Sequence, residues 1–240
     1  MADPAFHRYA SAGRAVDQGY FDEGLRQFML RIYNYMGAGL VLTGVVAFLA
    51  STSPALMQTL FGTPLKWVVM LAPLAFVMVL SFGINRLSFG TAQMIFWAYC
   101  GVMGLSLSTI FLVFTGASIA LTFFVTASTF LAMSLYGYTT KTDLSKMGSF
   151  LIMGLIGIVI ASLVNIFMAS SALQFAISVA GVLIFTGLTA YDTQRLKEVY
   201  ADNYDHETSG KLALMGALTL YLDFVNLFMF LLHFLGQRDE

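Results

Sequence analysis

Charge is scarce in this chain. Only 10% of its 240 residues are Asp, Glu, Lys or Arg, while 58% are hydrophobic; that is too apolar for an ordinary soluble domain and indicates an integral membrane protein. Cys100 is the single cysteine, so neither a disulfide framework nor a cysteine-rich metal site can be built. His7, His206 and His233 lie far apart in sequence, which argues against a zinc site of the usual ligand spacing. Positive charge is not in excess either. Twelve Lys and Arg face thirteen Asp and Glu, with no basic patch to neutralise phosphates, and nucleic acid is excluded as a partner. Partners are expected among membrane lipid, ions and other membrane proteins, and no cofactor is implied.

What the chain does have is long apolar runs. A hydrocarbon core of about 30 Å needs about 20 apolar residues in helix, and seven such stretches occur, near 33–50, 65–84, 92–114, 118–137, 149–169, 172–192 and 212–235. They are apolar all round, without the period-2 alternation of a membrane β-barrel. The expected fold is an all-α integral membrane protein with seven transmembrane helices. The organisation that follows is an N-terminal arm over 1–32, a transmembrane domain over 33–235 and a short tail over 236–240, with no soluble catalytic domain left over. Gly37, Gly39, Gly44, Gly101, Gly104, Gly154 and Gly157 fall within spans, where small residues let helix backbones approach closely. The connections after the third and fifth spans are short and uncharged, which predicts tight antiparallel hairpins.

Residues 1–30 contain no apolar run of signal-peptide type. With the N-terminus in the cytoplasm, Arg8, Arg14, Arg26, Arg31, Arg86, Lys141, Lys146, Arg195, Lys197 and Lys211 fall on the cytoplasmic side and only Lys66 and Arg238 opposite, a strong positive-inside asymmetry. An odd number of spans then sends the tail GQRDE to the far side; a re-entrant seventh stretch would return it to the cytoplasm.

Asp223 is the most informative residue. It interrupts an otherwise uncharged run from Leu212 to Leu232. Twelve residues beyond Lys211 at ~1.5 Å each, it is ~18 Å into the span, near the bilayer midplane. A charged Asp there costs at least ~2.5 to 3.5 kcal/mol on insertion scales, and such groups usually mark ion or proton pathways. Thr219, Asp223, Asn226 and His233 share one helix face, and Thr219 and Asn226 are expected to act as interhelical hydrogen-bonding glue.

Asp192 sits at the cytoplasmic end of the sixth span with Arg195 at i+3, where an exposed ion pair would account for it without function. Pairing changes that reading, because consecutive antiparallel spans can bring Asp192 toward Asp223. Two carboxyls close together in a low dielectric would tend to hold one proton and titrate as a unit, a pH sensor. Ionised, they would suit a hard cation such as calcium, as a weak site needing carbonyls or water as well. Simple depth counting, however, leaves the two more than ~10 Å apart along the membrane normal. Arg86, the base near the cytoplasmic end of the second span, is a topology anchor or, in the sharper reading, a latch bridging to the aspartates. Cys100 and the many Phe and Met are apolar filling, and Trp67, Tyr136 and Tyr138 are interface anchors.

The runs AYDTQRLKE, LTLYLDFVNLFMFLL and TKTDLSKMGSFLIMGL resemble those of the transmembrane Bax inhibitor motif family, and the resemblance to a bacterial member covers nearly the whole chain. It implies six helices around a central seventh and location in the bacterial inner membrane. It also implies a pH-sensitive calcium leak channel, with the paired acids on Asp192 and Asp223 and the counter-arginine on Arg86. Some members have a glutamate in the second span, whereas KWVVMLAPLAFVMVLSFG has none. Other bacterial relatives are linked to a membrane-bound ATP-dependent protease, so a non-conducting regulator is the alternative. An enzyme is not expected: Tyr191-Asp192 and Asp223 superficially match an intramembrane aspartyl protease, but Asp223 follows Leu-Tyr-Leu rather than a Gly-x-Gly run.

Overall fold

The computed structural model describes residues 4–201 and 204–239, with side chains from Glu23 onward. His7, Arg8 and Arg14, invoked above, lie outside the described side chains. The elements are helices: α1 Pro4–Ser51, α2 Pro54–Phe61, α3 Leu65–Gly83, α4 Phe89–Leu107, α5 Ile110–Val113, α6 Gly116–Thr139, α7 Ser145–Met168, α8 Ser171–Val199 and α9 His206–Leu235. Seven stretches are long and apolar enough to cross a membrane, and no strand occurs among the described residues. Sequence dictates many of the starts: Ser53, Ser88, Thr115, Ser170 and Asp205 each accept a backbone N–H at a helix N-terminus, satisfying a donor the first turn would otherwise leave open.

Span ends differ from the apolar runs in two informative places. The helix that carries the first span, α1, runs on through Arg26 and Arg31 ahead of the apolar run that opens near residue 33, because those charges interrupt hydropathy without interrupting helix. The sixth continues to Val199, seven residues past Asp192, because TQRLKEV is polar yet composed largely of good helix formers.

α9 is the interior helix. Its membrane window is 56% buried, against at most 33% for any other span. It packs against α1, α4, α6 and α8, while α3 packs on α4 and α7 on α8. Four helices form its inner collar, and α3 and α7 pack chiefly on α4 and α8. Of the two expected hairpins, α7 and α8 pack together along their length, but α4 and α6 do not. The short connection Phe114–Thr115 joins only their ends, since both use their buried faces against α9. At that end the C-terminal tail is pinned to the same connection. Thr115 N donates to Gln237 O (3.1 Å), Asp239 N to Val113 O (3.1 Å) and Gln237 N to Ser118 Oγ (2.9 Å).

Close helix approach is concentrated at a few small residues. A Cβ on Gly137 would lie 2.1 Å from Ala190 O, so α6 and α8 touch backbone to backbone there. On Gly104 it would lie 2.7 Å from Thr43 O, where α4 crosses α1. Gly37, Gly44, Gly101 and Gly157, by contrast, have open space. Pro73 lies inside α3 and cannot supply the N–H that Val69 O would normally accept; the Ser106 hydroxyl of α4 donates to that carbonyl instead, which is how membrane helices tolerate proline.

Candidate functional site

Asp192 and Asp223 meet because of helix register and side-chain direction together. The spaces beside Gly216 and Gly181 are filled by Leu196 and Phe230 respectively, so α8 and α9 run antiparallel with Asp192 roughly level with Leu220. Three residues, or ~4.5 Å of helix, then separate the two aspartates in depth. Helical side chains lean toward their own N-terminus. In antiparallel helices this tilts Asp192 toward the middle of the bundle and Asp223 back toward the end where Asp192 sits. Depth counting from the apolar runs missed this by taking residue 192 as the end of its helix.

The two carboxyls stand within hydrogen-bonding reach of each other. Asp223 is only 4% exposed and its Oδ2 has no hydrogen-bond partner of the ordinary donor kind. Asp192 is half-buried, and the cation acting on it is Arg195, an exposed residue on the same helix. Arg86 is not part of this cluster. It lies exposed in the connection between α3 and α4, and the ion pairs among the described side chains are Arg26–Glu23 and Lys211–Glu207. The bridge expected of it is absent here because α3 packs outside the inner collar.

Thr219 and Asn226 also differ from expectation. Thr219 Oγ1 donates to Met215 O (3.1 Å) and Asn226 Nδ2 to Leu222 O (2.8 Å), both within α9; neither is glue between helices. His233 is exposed near the far end, its ring edge-on to Phe114 at 5.9 Å.

Two hydroxyl networks that the sequence reading did not single out flank the acids. Thr193 Oγ1 donates to Thr189 O (2.7 Å), so the Ser134 hydroxyl donates to Thr193 (2.9 Å) and Tyr33 in turn to Ser134. This directed chain joins α1, α6 and α8 one residue from Asp192. Thr43 Oγ1 donates to Cys100 O (2.9 Å), so Tyr221 donates to Thr43 (2.6 Å), tying α9 to α1 two residues from Asp223. Tyr99, fully buried, stacks edge-on against Tyr221 at 5.3 Å and leaves its own hydroxyl unpartnered. Gln194 closes the site's other side, accepting Leu144 N (2.9 Å) and donating to Thr142 O (2.9 Å). The signal for Thr193 and Gln194 was their place in AYDTQRLKE; Tyr33, Ser134, Thr43 and Tyr99 come from distant helices and carry no local signal.

No group of three or more His, Cys, Asp or Glu that could hold a metal ion occurs among the described residues. The acid pair alone can hold a proton between two carboxyls or, ionised, offer oxygens to one hard cation whose remaining ligands must be water or carbonyls.

Comparison with known proteins places this geometry in a family. The model of the family described as inhibitor of apoptosis-promoting Bax1 matches residues 25–240. An inner membrane protein, YbhL, of Escherichia coli strain K12 is 51% identical over 218 residues, 90% of this chain and 93% of that one. An uncharacterized protein of Rickettsia prowazekii is 50% identical over 220 residues, 92% and 93% of the two chains. One from Caulobacter vibrioides is 47% identical over 229 residues, 91% and 92%.

Proposed function

The chain belongs to the inhibitor of apoptosis-promoting Bax1 family, and on that premise we propose that it is a pH-sensitive cation leak pathway, with calcium as the transported ion, gated by Asp192 and Asp223. The observation that carries the reading is the meeting of two carboxyls from adjacent antiparallel helices, one of them 4% exposed with an oxygen that lacks a donor. A proton held between them supplies that donor and joins α8 to α9. Its loss leaves two like charges side by side, which separates the helices and exposes oxygens suited to a hard cation. Arg195, at the mouth, is the cation acting on Asp192. With no arginine bridging the acids, deprotonation favours both opening and cation binding, so flux rises with pH.

The protein's place is the bacterial inner membrane: the Escherichia coli relative is an inner membrane protein, and seven helices here are long and apolar enough to cross a bilayer. We propose a cytoplasmic N-terminus, which the positive-inside asymmetry supports, and a C-terminus on the opposite face, as an odd number of spans would give.

The test is calcium efflux from proteoliposomes at a series of pH values. Wild type conducts more as pH rises, and Asp223→Asn falls to the protein-free background at every pH. If Asp223→Asn keeps the wild-type rate and pH dependence, the gate is wrong. An absence of flux from folded wild type turns the reading to a non-conducting regulator of a membrane-bound ATP-dependent protease or another membrane protein.

A further inference from the structure

α1 and α6 each pack on α9 but not along each other, which leaves a seam open to the lipid. The seam is lined by exposed apolar side chains, Leu30 at 48%, Leu131 at 65% and Leu135 at 64% exposed. At the end of the bundle shared by the α6 C-terminus and the α9 N-terminus it widens into a groove of about 390 Å³, with Arg26, Tyr33 and Tyr138 among the lining residues. Its floor is the Tyr33–Ser134 hydroxyl contact. Arg26 lines its rim, and a second cation, Lys197, stands against the lining residue Tyr138. Arg26 is 67% exposed, and its ion partner among the described side chains is Glu23, itself 53% exposed, in an i,i+3 pair at 3.4 Å of little strength. Lys197 donates to Tyr138 O (2.9 Å) and lies over the Tyr138 ring, 5.7 Å from its centre.

We infer that this groove is a binding site for one anionic phospholipid, with an acyl chain along Leu30, Leu131 and Leu135 and the phosphate held between Arg26 and Lys197. Two observations of the groove favour a lipid over another transmembrane helix. Its wall is apolar below and its rim cationic, the layout of an amphiphile with an anionic head. Its floor hydroxyls are already committed to each other, so no polar side chain of a protein partner is called for. The site is distinct from the acid pair, and its test does not depend on ion flux.

The test is native mass spectrometry of the purified full chain in detergent, with phosphatidylglycerol and phosphatidylcholine of matched acyl chains added as competitors. Two interfacial cations correspond to a preference of about tenfold or more for phosphatidylglycerol, bound one per chain. The Arg26→Gln, Lys197→Gln double variant should drop to parity, and Arg26→Gln alone, on an exposed side chain, provides the same reading in part should the double variant fold poorly. Leu131→Trp, which fills the groove, should lose both lipids. Equal retention of the two lipids by wild type, an unchanged preference in the variants, or a dimer in place of lipid adducts would overturn the assignment.

Discussion

Asp192 supplies the hydrogen-bonding contact that the buried Asp223 carboxyl otherwise lacks. The pair is a liability for folding, since a buried carboxyl with an unmatched oxygen costs stability that apolar packing would not. Its retention on the most buried helix is what a functional role would require, and it makes the energetics of the pair testable apart from transport.

Asp223→Asn keeps the shape and supplies an N–H to Asp192. It is expected to raise, or at least not lower, the thermal midpoint in detergent at pH 8. The gain expected from pairing the orphaned oxygen is about 1–3 kcal/mol. A drop of that size measured by scanning fluorimetry would mean that the carboxyl is a structural necessity.

Ser106→Ala is expected to destabilise by about 1–2 kcal/mol, because it strips the donor from the Val69 carbonyl that Pro73 leaves open. In a double-mutant cycle, Pro73→Ala restores the helical donor, so the cost of Ser106→Ala should largely vanish in that background. Equal costs in both backgrounds would show that the serine acts elsewhere.

Gly137→Ala places a methyl 2.1 Å from Ala190 O and must push α6 off α8. The expected cost is about 2–3 kcal/mol. The same displacement bears on the helix that carries Asp192 two residues further on, so flux and its pH response should change together with stability. Gly104→Ala, which crowds α4 against α1, is the comparison: it should lower stability with less effect on the pH response.

The exposed acids outside the spans set a different pH window. Bonds from the Ser145 hydroxyl and N–H hold the Asp143 carboxyl below its usual range, and bonds from Thr208 and Glu207 do the same for Asp205 at the start of α9. A carboxylate whose folded value is depressed stabilises above its unfolded value and loses that contribution as pH falls through the folded value. Both sets of bonds are therefore complete above about pH 4 and fail only in more acid solution. A wild-type flux response between about pH 5 and pH 8 cannot originate in these two carboxylates, and Asp205→Asn should leave it in place.

Much of this was legible in the sequence, for identifiable reasons. Spans are set by hydropathy and length, both local properties, and all seven runs became helices. Asp223 stood out because nothing else charged lies near it in the chain. The depth of Asp192 was not legible, since polar residues after it continue the helix to Val199 and hydropathy ends where helix does not. The helices around α9 were not legible either, because which lipid-soluble surfaces pair is decided by shape, as at Gly137 and Gly104. Arg86 shows the converse error. Its membrane level was inferred from its distance to a span end, but level does not fix which side of the bundle a residue faces, and α3 turned out to be an outer helix.

The most direct measurement is infrared difference spectroscopy of the protein in membranes, titrated across neutral pH, in wild type, Asp192→Asn and Asp223→Asn. One protonated carboxyl band that titrates in wild type and is lost or displaced in both variants is the expected result, because the proton belongs to the pair. A band that persists unchanged in either variant, or no titrating carboxyl at all, would contradict the shared proton on which the proposed gate rests.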